Sequence, residues 1–355
     1  MTLVSLKGVA RYDDALIDEA IAAHFDALNV AADLKPGMKV LIKPNLLAAR
    51  DPATAVTTHP AILAGVARWL RAHGVEHITL ADSSGGLYTP AAQRTLYRVC
   101  GLNPLADLLT LNEDVSHGSK NGFNLLTPVL EADYIINCAK LKTHGLTTMT
   151  AGVKNLFGCI PGLQKPEWHC RQPSLEGFAN ALIDLCETVK PDITLIDAVD
   201  CLEGNGPGGG DVRYMGMTLA SRSPYAADEI GAKLMALPDG LCPVIKAARK
   251  RGVIRGDITL TGGPLVPANP PFKLPDAIVG KEKLLTFNGL FHFFFGRRKR
   301  PKVIEANCIG CGKCAESCPM HLIEIKDRKA VIRTKGCISC FCCQEMCPAH
   351  AIKAK

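Results

Sequence analysis

The chain has 355 residues, 47% of them apolar, with 41 Lys and Arg against 34 Asp and Glu and a net charge of +7. That length allows two domains and a sizeable core; no run approaches the roughly 18 apolar residues of a membrane span, and "MTLVSLKGVARYDD" lacks the continuous apolar stretch of a signal peptide. The charge is concentrated late: "RRKRPK" (297–302) contributes +5 and the residues from Val303 on contribute +3, which leaves the first 296 near −1. A nucleic-acid-binding body is therefore not expected, and 16 Cys without a secretory signal point to a reducing, cytoplasmic setting.

In chain order, short apolar runs read as strands: "KVLI" (39–42), "HITLA" (77–81), "YIINCA" (134–139), "ITLIDA" (193–198), "GMTLAS" (216–221) and "DITLTG" (257–262). Between them, "HPAILAGVARWLRAHG", "SLEGFANALIDLCETV" and "PYAADEIGAKLMAL" carry apolar residues at helical spacing. The alternation predicts an α/β fold with a largely parallel sheet and flanking helices.

Polar loops follow five of these strands: Lys43–Asn45, Asp82–Gly86, Lys140–His144, the run "VDCLEGNGPGGG" and Gly262–Pro264. In a parallel sheet the carboxyl ends lie on one edge, where open α/β folds bind ligands. If the third strand continues, Lys140, Lys142 and His144 share one face, because Leu141 and Thr143 alternate with them. Ammonium groups that converge need an anion between them. Lys140, Lys142 and His144 are therefore the candidate catalytic groups, with His144 as proton donor because an imidazole titrates near neutrality. Lys43, Asn45, Asp82, Lys154, Asn155, Glu203 and Asn205 are the candidate substrate-binding residues. Lys165 reads equally well as a solvated lysine, and His169 as a structural histidine. "GNGPGG" (204–209) matches a dinucleotide fingerprint only formally: Pro207 lies inside it, and "DVRYMGMTLA" after it reads as strand, so no helix N-terminus meets a pyrophosphate. It reads instead as a lid or a close backbone approach to a ligand.

"KPNLL", "ADSSGG", "KLKTH", "GVKNLFGCIPG", Lys165, His169 and "EGNGP" together resemble the domain-of-unknown-function 362 family over most of residues 30 to 265. The resemblance implies a Rossmann-like domain, often joined to a ferredoxin-type tail, and names no reaction. "LFHFFFG" (290–296) and "RRKRPK" follow, read as a packing segment and a basic hinge. The expected organisation is an α/β domain over 1–296, a hinge over 297–302 and a small α+β ferredoxin-like domain over 303–355.

The tail contains "CIGCGKCAESCP" (308–319) and, 29 positions later, "CISCFCCQEMCP" (337–348). Both read C-x2-C-x2-C-x3-C-P; on alignment Cys342 falls on Lys313 and is the spare cysteine. Zinc knuckles have no need of the second x2 step or of the Pro-flanked Cys. The spacing resembles that of bacterial two-cluster ferredoxins. That resemblance implies two 4Fe–4S clusters, one on Cys308, Cys311, Cys314 and Cys347 and the other on Cys337, Cys340, Cys343 and Cys318. Two functions follow. One is an oxidoreductase that takes single electrons from a ferredoxin- or flavodoxin-like partner and uses them on a small anionic ligand. The other is a non-enzymatic electron carrier or iron–sulfur delivery protein.

Overall fold

The computed structural model describes residues 2–254, 256–279 and 299–355. Its strands in chain order are β1 (Thr2–Gly8), β2 (Lys39–Lys43), β3 (His77–Leu80), β4 (Thr110–Leu111), β5 (His117–Lys120), β6 (Phe123–Leu126), β7 (Tyr134–His144), β8 (Thr148–Thr150), β9 (Ile193–Glu203), β10 (Asp211–Ser221) and β11 (Ile258–Thr261). Nine of them form one sheet in the order β11-β1-β10-β9-β7-β2-β3-β4, with β8 paired to β7; β5 and β6 make a separate hairpin. The sheet is mostly parallel. β10 runs against both neighbours, because it returns from β9 through a short Gly-rich loop, and β8 doubles back on β7.

Helices cover both faces. Asp14–Ala27, Pro60–Ala72 and Pro90–Val99 pack on one side around Phe25, Trp69 and Tyr97; Leu175–Val189, Pro224–Leu234 and Pro243–Lys250 pack on the other around Phe178, Leu182 and Ile230. Ser174 and Ser223 cap two of these helices through their hydroxyls, the first-turn chemistry that starts a helix where the apolar periodicity begins. β7 shows the period-2 rule: Tyr134, Ile136 and Cys138 join the first core, while Ile135, Ala139 and Leu141 join the second. The strand does continue to His144, and all 11 residues are buried.

The tail closes on itself through β12 (Pro301–Val303) and β15 (Ile352–Ala354), with the hairpin β13 (Ile323–Lys326) and β14 (Lys329–Ile332) between them. Pro301 and Lys302, read as hinge, therefore sit in a strand, and Arg300 exchanges backbone hydrogen bonds with Lys355. "LFHFFFG", Arg297 and Arg298 lie outside the described residues. Among the described residues no helix is long and apolar enough to cross a membrane.

Candidate active site

The sheet order reverses between β2 and β7: β3 and β4 extend it on one side, β9 on the other. At the carboxyl edge of that switch lies a cavity of about 80 Å³, hereafter the chamber. Each side chain arrives there for a local reason. β2 ends at Lys43 and delivers Asn45. β3 delivers Asp82 and Ser83, and β7 delivers Lys142 and His144. The segment after β8 brings Lys154, Asn155 and Phe157, and the helix Gln164–Arg171 brings Lys165 and His169. The fourth wall comes from the tail: Ser317, Cys342, Glu345 and Met346.

An oriented chain of amides holds the first lysine. Lys142 Nζ donates to Asn45 Oδ1 (2.8 Å) and to Val56 O; Asn45 Nδ2 donates to Asn155 Oδ1 (2.8 Å), and Asn155 Nδ2 to Asn137 Oδ1 (2.8 Å). Lys165 Nζ donates to the carbonyls of Ser83 (2.8 Å) and Ser84 (2.9 Å). Each ammonium thus has two of its three donors fixed by the protein. Burial, helped by neighbouring cations, lowers both lysines from the ordinary range to about 7. Burial also lowers Lys154, whose ammonium lies 5.2 Å from the Phe157 ring centroid.

His144 is a donor of a different kind from the one its sequence suggests. Its Nδ1 accepts the backbone N–H of Leu146 (3.0 Å) and of Thr147 (3.3 Å), so the proton is assigned to Nε2. A doubly protonated ring would set Nδ1–H against those two donors. Burial first, then Lys154, lowers its pKa to about 4. At neutral pH the ring is neutral, and the role of imidazolium acid does not fit it. Nε2 lies 3.0 Å from Glu345 Oε1 but poorly aligned for a hydrogen bond. Burial alone would raise Glu345; His144, Lys154 and His169 outweigh it and hold the carboxyl down at about 2. Thr150 Oγ1, also buried against the chamber, has no hydrogen-bond partner among the described residues. A buried polar atom left so calls for a ligand or an ordered water.

Other expected site residues are engaged elsewhere. Lys140 lies one step deeper than Lys142, ion-paired to Asp197 (2.9 Å) with both side chains almost fully buried, and bonded to Tyr12 Oη (2.8 Å). Lys43 spends its three donors on Pro44 O, Asn155 O and Asp82 Oδ1. Asp82 in turn accepts from Leu46 N and Ser83 N and pins the two loops together. A side chain at Gly158 would strike Asp82 Oδ1, so only glycine fits there. Glu203 pairs with Arg213 and Lys273, and Asn205 with Asp276, away from the chamber. From that loop Pro207 alone reaches the wall. Thr150, Lys165, His169 and the four tail residues are additions. The alternation of β7 gave no hint of them: Thr150 comes from β8, paired to β7 at Lys142, while Lys165 and His169 come from a polar helix and the rest from the tail.

The tail cysteines group in two sets. Cys308, Cys311, Cys314 and Cys347 line one small cavity with Val303, Ala330 and Ile352, while Cys343 is buried within electrostatic reach of Cys340, Cys318 and Cys337, and of Cys314 as well. Backbone N–H groups of Ala330, Leu322, Ser339 and Ala351 point at the sulfurs of Cys308, Cys318, Cys337 and Cys347, at 3.2–3.4 Å. Such donors favour the thiolate form that iron binds. A single zinc would draw its thiolates to about 2.3 Å, yet among the described residues no three Cys, His, Asp or Glu converge on an ion-sized point. Cys342 lines the chamber, and its thiol is also hydrogen-bonded to Cys340 of the second set.

The model of the family described as a domain of unknown function (DUF362) matches residues 40–233, and that of a 4Fe–4S dicluster domain matches residues 307–351. A thylakoid-associated protein of Synechocystis sp. is 31% identical over 229 residues, 62% of this chain and 70% of that protein. Two solved structures resemble the fold at 11% identity: a Thermotoga maritima protein (TM-score 0.38; 61% of this chain, 57% of that one) and the lactate racemase apoprotein of Thermoanaerobacterium thermosaccharolyticum (TM-score 0.42; 66% and 56%). The chain spans just over half the length of those two, and neither bears on the chemistry of the site.

Proposed function

This chain belongs to the domain-of-unknown-function 362 family, and from that premise, with a 4Fe–4S dicluster domain at its end, we propose that it is an iron–sulfur oxidoreductase acting on a small anion held in the chamber. One observation carries the reading. The short helix Cys342–Glu345 bears Cys343, of the second cysteine set, and also lines the chamber with Cys342 and Glu345. The redox site and the binding site share a wall one helix thick.

Two 4Fe–4S clusters, held by Cys308, Cys311, Cys314 and Cys347 and by Cys337, Cys340, Cys343 and Cys318, would supply electrons one at a time. Cys311 is exposed, beside the exposed Ile309 and Ile325. That patch suits a docking one-electron partner of ferredoxin or flavodoxin type, in a reducing compartment such as the cytoplasm. At the far end, Lys142, Lys154 and Lys165 hold the anion, and the neutral Nε2–H of His144 orients it. A two-electron reduction needs two electrons from the external partner and two protons. Lysines that titrate near pH 7 are matched to giving those protons.

The test is anaerobic. Protein reduced with dithionite, then freed of it, is mixed with a panel of small carboxylates and phosphates while cluster absorbance is followed. A substrate should restore the oxidised spectrum, and Lys165→Met should slow that restoration at unchanged iron content. If no anion reoxidises the protein, or the variant keeps pace with the wild type, the chain is an electron carrier or delivery protein, the reading the exposed patch supports by itself.

A further inference from the structure

A second cavity, of about 410 Å³, lies beside the chamber. It runs between the helix Pro90–Val99, the loop Ser84–Leu87 and the tail helix Lys313–Glu316. Gly85, Ser317 and Met346 belong to the walls of both spaces. The partition is one loop thick: Ser83 faces the chamber, while Ser84, Gly86 and Leu87 face the cleft. Its movable part is Met346, packed so closely on Gly85 that a Cβ there would lie 2.6 Å from its sulfur. An unbranched thioether adapts its shape at little cost.

Three observations bear on what fills this pair of spaces. The cleft is mostly apolar, and Leu87 and Leu163 on its walls are 59% and 39% exposed, which is apolar surface that gains from being covered. The chamber holds the charge, together with the unpartnered Thr150 Oγ1 and the poorly satisfied His144 Nε2. Size then decides: about 80 Å³ is far below the roughly 300–1,000 Å³ of ordinary small-molecule sites, and the cleft of about 410 Å³ brings the pair into that range.

We propose that the site binds an amphipathic carboxylate, its head among Lys142, Lys154 and Lys165 and its apolar body in the cleft along Leu87, Ala91 and Leu163. This rests on the reading that the chamber takes a small anion, and adds the substrate class. Met346 makes way where the chain passes from one space to the other.

The experiment titrates the full-length protein anaerobically with straight-chain carboxylates from acetate to octanoate, by calorimetry. Kd should tighten about fourfold per methylene while the chain still gains cover. Ala91→Trp, on the outer side of its helix, should abolish that gradient and leave acetate unchanged. Leu87→Ser, on the loop, should flatten the gradient and provides a second variant should the first misfold. Lys154→Met should weaken every member by a similar factor. Acetate binding with no gradient, or a gradient that both cleft variants preserve, overturns the cleft proposal and leaves the chamber reading standing. No binding by any member overturns both.

Discussion

If the chamber takes an anion as proposed, Lys142 and Lys165 make its binding a proton-coupled event, and the size of the coupling follows from the structure. Both are lowered to about 7, chiefly by burial, so each is about half protonated at pH 7 when the chamber is empty. A carboxylate about 4 Å away, at an effective dielectric near 20, favours the ammonium by roughly 4 kcal/mol, or about three pK units. Both lysines should then be almost fully charged in the complex. Binding takes up about one proton in total at pH 7 and nearly two by pH 8.5. The sign is fixed by the same numbers. A lysine lowered to about 7 loses its charge as pH rises through that value, so affinity is level below about pH 6 and declines above it, to roughly a ten-thousandth of that level at pH 9 if both lysines face the ligand. Calorimetric titration of acetate in buffers of different ionisation enthalpy reads the proton count directly, and Lys142→Met should halve it. Zero uptake in every buffer, or a Kd flat from pH 7 to 9, would show that the lysines do not meet the anion.

Lys140→Ala should cost about 3–5 kcal/mol in urea unfolding, because it strands the buried Asp197 carboxylate; a cost under about 1 kcal/mol would mean the pair is solvated. Anaerobically reconstituted protein should hold about eight irons. Cys342→Ser should keep them all, and Cys318→Ser should lose about half despite belonging to the first run; iron loss from Cys342→Ser but not from Cys343→Ser would show the two runs misaligned. Glu345→Gln should tighten acetate binding at least tenfold at pH 6, where the chamber lysines are charged, with iron content unchanged; equal or weaker binding would mean the carboxylate does not face the ligand.

The sequence made the frame of the site legible because the frame is local. β2, β3 and β7 could be read from their apolar runs, and the alternation along β7 placed Lys142 and His144 together on one face. Depth was not legible. Lys140 has the same parity as Lys142, and only the ion pair to Asp197, 57 residues on, shows that it belongs to the interior. Glu203 and Asn205 sit in a glycine-rich loop that looked made for a ligand, yet Lys273 and Asp276, some 70 residues later, satisfy them. Lys165 and His169 lie on a helix with too few apolar residues to reveal a buried face. β4, β8 and the β5–β6 hairpin are strands of only two to four residues, too short for an alternation to show; β1 and the helices Asp14–Ala27, Pro90–Val99 and Pro243–Lys250 are further elements of the structure. The register of the cysteine repeat needed no such distant information, which is why the tail could be read so far.

The anion that the converging lysines require is present in the chain itself. With Lys43 and Asp82 cancelling each other, Lys142, Lys154 and Lys165 line a chamber whose remaining carboxylate, among the described residues, is that of Glu345. Glu345 belongs to the tail, so the charge that makes the empty chamber tolerable also holds the second cysteine set against it. One carboxylate cannot balance three ammonium groups in a buried site; burial first, with neighbouring cations adding to it, lowers Lys142 and Lys165 so that near neutral pH each gives up its proton part of the time. A substrate carboxylate would supply the missing negative charge and draw those protons back into the chamber, next to the helix that carries Cys343. On the proposed function, binding would then load the site with the protons that a reduction consumes, beside the helix through which electrons would come.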